Sequence, residues 1–477
     1  MKQINFIFFI TAILFIGCND SQNQSKETIK EKETFSRDLE EVNEDGVLRV
    51  LVSYSSTSYF VYRGQPMGFE YELLQRLAKE LELDLKIVLV NNMDSIFQEL
   101  NEGRADMIAH GLTITSDRKQ KVHFTNYLYL TSQVLVQKKP DNWRKIRWSN
   151  LQRQLVHDAV DLINDTVTVR ENSSYIKRLR NLSEELGDTI YINKLSGTMS
   201  TEKIINKVAE GEIKYTVADK NLAQIHAAYN PVLDVSVPIS FSQRIAWAVR
   251  KNAPQLLEAV NQWIEKEKKG VDYYVIYNRY FKKNRDFRKR IKSDFMSLNG
   301  NKISKYDELI KKHSEHLGWD WRLVASLVYQ ESGFKPKAKS WAGAKGLMQI
   351  MPITAKELGV SNRNDPEQSL KGGTRYLKKL YKRFDEIPDS LQRIKLTMAA
   401  YNCGYSHVKD AQFLAEQKNL DPLVWNENVE EMILALSEPS NYQIPGVKFG
   451  YVNGIEPVTY VDQIFKRYEH YIKFIEK

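Results

Sequence analysis

The chain has 477 residues, a formal net charge of +9, 42% hydrophobic residues and 27% charged residues. This length excludes one small core and predicts two or three domains, and the composition is that of a soluble globular protein. Only Cys18 and Cys403 are present, so stability must come from large cores rather than from disulfide bridges. The charge suits a polyanionic partner, but it does not choose among cell wall, membrane surface and nucleic acid.

The N-terminus predicts export. Met1-Lys2 is followed by an apolar stretch over 4–16, which is short for a membrane span, and then by Gly17-Cys18. A cysteine directly after a small residue resembles the lipobox of bacterial lipoproteins, although Phe15 stands where leucine is more usual. The resemblance implies a signal peptide over 1–17, lipidation of Cys18 and anchoring at the outer membrane, facing the periplasm. The alternative is a plain signal peptide with an incidental cysteine.

The first half of the mature chain predicts a tether followed by an α/β domain. Residues 19–45 are polar and predict a solvated tether, so Cys18 and the tether together cover 18–45. Residues 46–270 alternate between the two element types and predict a mostly parallel sheet. The pattern changes near residue 138 and returns over 237–249, which predicts two lobes joined by crossing strands and a hinged cleft. The predicted strands are 47–52, 85–90, 106–109 and 166–170, and the predicted helices are 70–81, 93–100 and 252–270.

Several segments of this half resemble the family-3 periplasmic solute-binding proteins of the amino-acid type. Arginine binds a carboxylate through two parallel hydrogen bonds. The resemblance implies that Arg118 holds a ligand carboxylate, that Thr113 contacts the ligand and that Asp219 holds its amino group. Glu70 and Tyr59 are weaker candidates, and the alternative is that Arg118 and Asp219 form surface or interdomain salt bridges. The matching segments are Gly68-Phe-Glu70, Gly103-Arg-Ala-Asp106-Met-Ile, Gly111-Leu-Thr113-Ile-Thr115-Ser-Asp-Arg118 and Val122-His-Phe124-Thr.

Residues 271–304 predict a connector, and residues 305–477 predict a mainly helical domain. The connector is aromatic and then strongly basic over 279–292. That basic stretch is either a solvated helix face or a contact with anionic lipid or wall polymer, because export argues against nucleic acid. The predicted helices of the last domain are 307–316, 319–330, 372–384 and 391–400.

One acid stands out at the end of an apolar helix. Trp321, Val324, Leu327 and Val328 form a stripe that Glu331 continues, so its carboxyl points toward the domain interior. Apolar surroundings favour the neutral acid and raise its pKa, and a protonated acid can donate to a glycosidic oxygen. A lone glutamate at a helix end is otherwise a solvated or salt-bridged residue.

No second acid is a convincing partner for Glu331. Ordinary glycosidases need two carboxylates. Glu357 fits a capping box with Thr354, and Asp365 before a proline looks like a helix cap. The sequence therefore offers one candidate acid rather than the pair that an ordinary glycosidase needs.

Four segments around this acid resemble the lytic transglycosylases of bacterial cell walls, and the last resembles the membrane-bound lytic murein transglycosylase F group. The resemblance implies that Glu331 acts as acid and then as base, while the C6 hydroxyl of muramic acid closes on C1 to give a 1,6-anhydro end. Ser369, Cys403 and Tyr405 depart from the family pattern. The segments are Tyr329-Gln-Glu331-Ser-Gly333, Gly346-Leu-Met-Gln349-Ile-Met-Pro352, Ala399-Ala-Tyr401-Asn402 and Asn453-Gly-Ile-Glu456-Pro-Val-Thr-Tyr460-Val. The residues implied to bind the sugar are Ser340, Met348, Gln349, Tyr401, Asn402 and Tyr460.

The predicted fold is therefore multidomain, with an α/β two-lobed periplasmic-binding-protein fold followed by a mainly α lysozyme-like domain. The predicted function is a peptidoglycan lytic transglycosylase that a ligand of the N-terminal module modulates. The expected partners are glycan strands, an amino acid or muropeptide and a membrane, without nucleic acid, cofactor or metal. The alternatives are a binding protein with an inert enzyme domain and a lysozyme-type hydrolase.

Overall fold

The structure, a computed structural model, describes residues 35–90, 92–298, 300 and 302–476. The predicted signal peptide, Cys18 and most of the predicted tether lie outside the described residues. Residues 36–477 form one compact unit. Within the described part of the chain, every helix is too short or too polar to cross a membrane.

The first lobe is a sheet with β1 near its centre. β1 runs parallel to both β4 and β5. Leu48, Val50 and Val52 pack with α2 on one face of the sheet and Leu51 packs on the other, as expected for a strand covered on both sides. The elements of this lobe are α1 (Leu39–Asp45), β1 (Val47–Ser53), β2 (Phe60–Tyr62), β3 (Gln65–Met67), α2 (Phe69–Glu80), β4 (Asp84–Val90), α3 (Ile96–Asn101), β5 (Met107–Thr113), α4 (Ser116–Lys119), β6 (His123–Phe124) and β7 (Tyr129–Thr131).

The second lobe is a separate sheet in the order β10-β9-β11-β8-β12. The chain enters it between Thr131 and Gln133, a few residues before the predicted change of pattern. Its elements are β8 (Gln133–Lys138), α5 (Trp148–Gln152), β9 (Thr166–Arg170), α6 (Ser174–Leu186), β10 (Tyr191–Leu195), α7 (Thr201–Glu210), β11 (Tyr215–Asp219), α8 (Lys220–Tyr229) and β12 (Leu233–Asp234). A 3-10 turn covers Ala159–Leu162.

The chain then returns to the first lobe through β13 (Gln243–Val249), which pairs antiparallel with β5. The two lobes are thus joined by two crossings, as the sequence predicted. This two-lobed α/β architecture confirms the expected fold class for the N-terminal half.

Residues 36–45 do not form the predicted solvated tether. Asp38 and Glu41 make a capping box that starts α1, and Val42 is fully buried. Asp38 also accepts hydrogen bonds from the backbone amides of Gln255 and Leu256, at 3.0 and 2.7 Å. The polar composition hid this capping signal, and the backbone amides that bind Asp38 lie more than two hundred residues away along the chain.

Residues 271–298 are likewise not a free connector. They follow α9 (Pro254–Lys269) and form α10 (Val271–Phe281) and α11 (Asn284–Ile291). Tyr273, Ile276 and Phe287 are buried in the core of the first lobe. Arg279 pairs with Glu72 on α2 at 2.5 Å. The basic segment therefore packs as part of the binding domain, whose apolar positions lie between its cations.

The last domain is helical around α13, which packs mainly against α20. Val324, Leu327 and Val328 are fully buried, which confirms the apolar stripe predicted for this helix. The helices are α12 (Asp307–Ser314), α13 (Trp321–Ser332), α14 (Pro352–Leu358), α15 (Pro366–Lys382), α16 (Ser390–Cys403), α17 (Tyr405–Gln417), α18 (Glu430–Ala435), α19 (Pro439–Tyr442) and α20 (Ile455–Phe474). A 3-10 turn covers Glu315–Leu317, and the chain is kinked within Trp425–Val429, where Asn426 and Glu427 have non-helical backbone angles.

The β2–β3 hairpin of the first lobe reaches into the helical domain. Val61 packs within the core of that domain, and its strand contacts α20. The Tyr471 hydroxyl on α20 donates to the carbonyl of Gly64 at the hairpin tip, at 2.6 Å. Further along α20, Phe474 stacks on Tyr54 with ring centroids 4.5 Å apart. The two halves of the chain therefore share a packed interface.

Candidate functional site

Glu331 lies at the carboxyl end of α13, in a fixed position. The helix starts with Asp320 as its cap and ends at Gly333, whose φ of 56° is left-handed and favours glycine. The Ser332 hydroxyl donates to the carbonyl of Leu347 at 2.9 Å, which ties the helix end to the following loop. Glu331 as a whole residue is half-buried.

Tyr460, near the start of α20, donates its hydroxyl hydrogen bond to Oε1 of Glu331. Burial raises the pKa of Glu331 from its ordinary 4.5 to about 7, and the Tyr460 hydrogen bond opposes that rise. Burial and the nearby Glu331 charge raise the pKa of Tyr460 in turn, so its hydroxyl stays protonated. Glu331 is consequently poised between acid and carboxylate near neutral pH, in the direction predicted from the sequence.

A cavity of about 480 Å³ opens beside this carboxyl. It brings together two of the sugar-binding candidates, Asn402 and Tyr460, with Glu331. Its lining residues are Gln330, Glu331, Asn402, Asn453, Ile455, Glu456, Thr459 and Tyr460.

Tyr401 contacts Met348 through its side-chain hydroxyl, whereas Met348 takes part through its backbone. The Tyr401 hydroxyl donates to the Met348 carbonyl at 2.7 Å, and burial, together with the Glu331 charge, raises the pKa of Tyr401. The Met348 side chain is fully buried, and a Cβ on Gly373 would lie only 2.6 Å from it. Ser369, which departs from the family pattern, accepts a hydrogen bond from the Met348 amide at 3.2 Å. Met348 therefore contributes its backbone, while its side chain belongs to the core rather than to a sugar-binding surface.

Ser340 and Gln349 close the loop next to the site. The Ser340 hydroxyl accepts from the Ala344 amide at 3.0 Å. The Gln349 side-chain amide donates to the carbonyls of Gly346 at 2.8 Å and Ala338 at 3.2 Å. Neither residue lines the cavity beside Glu331, so both shape the neighbouring loop in this conformation.

The acids set aside in the sequence have structural partners. Glu357 pairs with Lys379 at 3.2 Å, and Asp365 caps α15 by accepting from the Gln368 amide. Sequence reasoning missed Glu456, an exposed carboxylate that lines the same cavity as Glu331. Glu456 lies in the Asn453-Gly-Ile-Glu456 segment, but its distance from Glu331 along the chain did not indicate that the two side chains would line the same cavity.

A second cavity, of about 680 Å³, lies in the cleft between the two lobes. Thr113, Arg118 and Asp219 all line it, together with the weaker candidate Glu70. The Arg118 guanidinium donates to the Thr113 carbonyl at 3.0 Å. Tyr59, by contrast, bonds to His470 on α20 and lies at the interface with the helical domain. The prediction that Tyr59 contacts the ligand is therefore wrong.

The charges in this cleft are enclosed. Burial raises the pKa of Asp219 to about 7 against the opposing charges of Arg118 and Arg170, and it raises the pKa of Glu70 to about 7. One Asp219 carboxylate oxygen has no hydrogen-bond partner among the described residues, which does not favour the salt-bridge alternative. The sequence missed Arg170, although it ends β9 at the edge of a parallel sheet where ligands commonly bind.

The lobes touch across the cleft in this structure. Glu202 on α7 accepts from the Ser56 hydroxyl at 2.6 Å, and Lys177 on α6 pairs with Asp117 at 3.0 Å. The Gly197 amide donates to Asp94 at 3.0 Å. The cleft is therefore closed around its cavity.

The chain matches two families and a set of relatives. Residues 308–423 match the Transglycosylase SLT domain, and residues 48–283 match the bacterial extracellular solute-binding proteins, family 3. A membrane-bound lytic murein transglycosylase F from Desulfosudis oleivorans is 34% identical over 90% of this chain and 91% of its own length. One from Shewanella sediminis is 33% identical over 86% and 82%. Among solved structures, the P235GK mutant of ArgBP from T. maritima is 26% identical, with a TM-score of 0.42, over 51% of this chain and 98% of its own.

Proposed function

Because the chain belongs to the membrane-bound lytic murein transglycosylase F family, we propose that it is a peptidoglycan lytic transglycosylase. The observation that carries this proposal is the Glu331 carboxyl, whose pKa burial raises to about 7 beside an open cavity. An acid of this kind holds a proton near neutral pH and can also release it.

One carboxyl then serves both halves of the reaction. Protonated Glu331 donates to the glycosidic oxygen between MurNAc and GlcNAc as the bond to C1 breaks. The resulting carboxylate takes the proton from the C6 hydroxyl of MurNAc, whose oxygen closes on C1 to form the 1,6-anhydro end. Glu331 is protonated again at the end of the cycle, and the Tyr460 hydroxyl stabilises its charged state in between.

Mass spectrometry of digested murein tests this reaction. We expect products that end in 1,6-anhydro-MurNAc, each lighter by one water than the hydrolysed product. Glu331→Gln should abolish turnover while glycan binding persists, since glutamine keeps the shape but has no proton to donate. Unchanged activity of that variant would remove Glu331 from the mechanism, and a lack of any cleavage by the wild-type chain would support the inert-domain alternative.

Glu456 gives the hydrolase alternative a specific observation, because a second carboxylate in the same cavity is what hydrolysis needs. The transglycosylase mechanism predicts that Glu456→Gln still forms anhydro ends. Water-terminated products from the wild-type chain, lost in Glu456→Gln, would establish the hydrolase instead.

We further propose that the cleft of the N-terminal module binds an amino acid or a muropeptide and thereby modulates access to Glu331. Arg118 would hold the carboxylate, Asp219 the ammonium, and Thr113 would contact the ligand. The route to the enzyme is the hairpin tip, since a Cβ on Gly64 would lie 2.7 Å from Phe334, three residues beyond Glu331.

Calorimetric titration of muropeptides and amino acids onto the full-length chain tests this modulation, alongside murein cleavage at the same ligand concentrations. Heat of binding together with a changed cleavage rate is the expected result. Binding without any change in rate would refute the modulation, and no heat for any ligand would refute the cleft as a binding site.

We also propose that the chain is exported and anchored through a lipid on Cys18, with the outer membrane as its location. The support is the order of residues at the N-terminus. The wild-type protein should incorporate labelled fatty acid, and Cys18→Ala should not. A wild-type protein that takes up no label would contradict the lipid anchor.

A further inference from the structure

Two guanidinium groups, one from each lobe, face the cleft. Arg118 follows β5 in the first lobe, and Arg170 ends β9 in the second lobe. Burial lowers the pKa of Arg118 to about 10, and the charge of Arg170 adds to this effect, so the two cations lie close enough to repel each other. His110 on β5, which lines the same cavity, is kept neutral by this environment, because burial and then both arginines lower its pKa to about 3.

No protein carboxylate forms a close ion pair with these two cations in the described part of the chain. Arg118 donates to the Thr113 carbonyl, and Nε of Arg170 is buried without a hydrogen-bond partner. Asp219 is near both, but one of its oxygens is also without a partner among the described residues. Two guanidinium groups that share one nearby carboxylate leave an excess of positive charge in an enclosed cleft, so the site favours anionic groups from a ligand.

The same cavity also offers acceptors for a cation. Glu70 is 3% exposed, and its Oε2 has no partner within the described ranges. Tyr129 lies near both Glu70 and Asp219, since the charges of both contribute to raising its pKa after burial. A ligand ammonium would satisfy these acids.

The space around the arginines exceeds one amino acid. Arg118 and Arg170 line both the cleft cavity of about 680 Å³ and an adjoining one of about 570 Å³. Ligand pockets of this size hold small molecules and short peptides. Both a free amino acid and a short peptide can therefore reach the two guanidinium groups.

We propose that the cleft selects a ligand with two carboxylates and an ammonium, an acidic amino acid or an acidic peptide, in which Arg170 holds the second carboxylate. This inference rests on the proposed binding function of the cleft and narrows its ligand. Arg118 and Asp219 hold the carboxylate and ammonium of an amino-acid unit, and Arg170 distinguishes an acidic ligand from its amide.

Calorimetry on the full-length chain at neutral pH tests the selection with matched probes. The probes are L-glutamate, D-glutamate and the tripeptide alanyl-γ-glutamyl-diaminopimelate. Each probe is compared with the form in which the second carboxylate, the one assigned to Arg170, is a carboxamide. A charge-assisted contact gives about tenfold or more in affinity, so at least one acid should bind that much more tightly than its amide. Tripeptide binding without glutamate binding would identify a peptide as the source of the two carboxylates.

Variants of Arg170 separate selection from folding. Arg170→Gln should bind the acid no more tightly than the amide and leave the affinity for the amide unchanged, whereas Arg118→Gln should weaken both. Arg170→Lys keeps the charge and should retain part of the preference. Arg153→Gln removes an exposed arginine of the same lobe, with the same change in net charge, and should alter neither affinity.

Three results overturn the proposal. Equal affinity for acid and amide in the wild-type chain, or an equal loss for both in Arg170→Gln, would refute the role of Arg170 while leaving ligand binding intact. No heat with any probe would refute ligand selection by the cleft. Murein cleavage by the same preparation would still report separately on the transglycosylase function.

Discussion

Glu331→Gln should make the protein more stable, and only at high pH. The pKa of Glu331 is raised from 4.5 to about 7 by burial. This difference of about 2.5 pH units corresponds to at most about 3.5 kcal/mol in the free energy of unfolding, at about 1.4 kcal/mol per unit. The neutral amide avoids the cost of a buried charge and can still accept the Tyr460 hydrogen bond.

The direction with pH follows from proton binding. Between pH 4.5 and about 7, folded Glu331 keeps a proton that the unfolded chain has released, so the stability of the wild-type chain falls as pH rises through this window. Glutamine carries no proton to lose. The two proteins should therefore be about equally stable at pH 4, and the variant should gain its full advantage above pH 7.

Urea unfolding at pH 4, 6 and 8 measures this difference, because other buried acids such as Glu70 titrate identically in both proteins. Glu416→Gln is the matched control, since this exposed position should change stability by less than about 0.5 kcal/mol at each pH. A gap between wild type and Glu331→Gln that is zero at pH 8, or that is the same at all three values, would refute the raised pKa and with it the argument for a protonated catalytic acid.

The value of kcat/KM for murein cleavage should fall about tenfold per pH unit above pH about 7, because a charged Glu331 cannot donate; a flat profile to pH 9 would be inconsistent with this. Tyr460→Phe removes the bond that lowers the pKa of Glu331, so the alkaline limb of that profile should move to higher pH while the rate drops; an unmoved limb would argue against the contact. Gly64→Ala should destabilise the protein in urea by about 1–3 kcal/mol more than Gly187→Ala. Both glycines have φ near +75°, but only at Gly64 would a Cβ meet neighbouring side chains, so equal losses would disprove the tight fit of the hairpin tip. Asp106→Asn breaks an ion pair with Arg37 at 2.9 Å in which the aspartate is buried, so it should cost about 3–5 kcal/mol in urea unfolding; a loss below 1 kcal/mol would contradict it.

Periodicity predicted the elements whose burial is set by their own sequence. The apolar stripe of α13 located Glu331, and the alternation over 47–52 located β1, because each follows a regular spacing. The helical character of the last domain and the two α/β lobes followed from the same kind of pattern, whereas the lysozyme-like fold was implied by the family resemblance.

What the sequence did not predict depends on contacts between distant segments. Residues 36–45 look solvated by composition, yet Asp38 binds backbone amides at the start of α9. Arg170 and Glu456 belong to cavities that are lined by residues from several elements. The spacing of residues within one segment does not predict which distant segments line the same cavity. Met348 shows the converse, because a motif position near the sugar site holds a side chain that packs inward.

The hairpin formed by β2 and β3 makes the boundary between the modules different in space from the one in sequence. Val61 fills a place in the core of the helical domain, and Gly64 covers Tyr471. A helical domain expressed alone from residue 305 would expose to water the apolar surface that Val61 covers. A different binding module fused to this helical domain would therefore have to supply an apolar hairpin of its own at the same position.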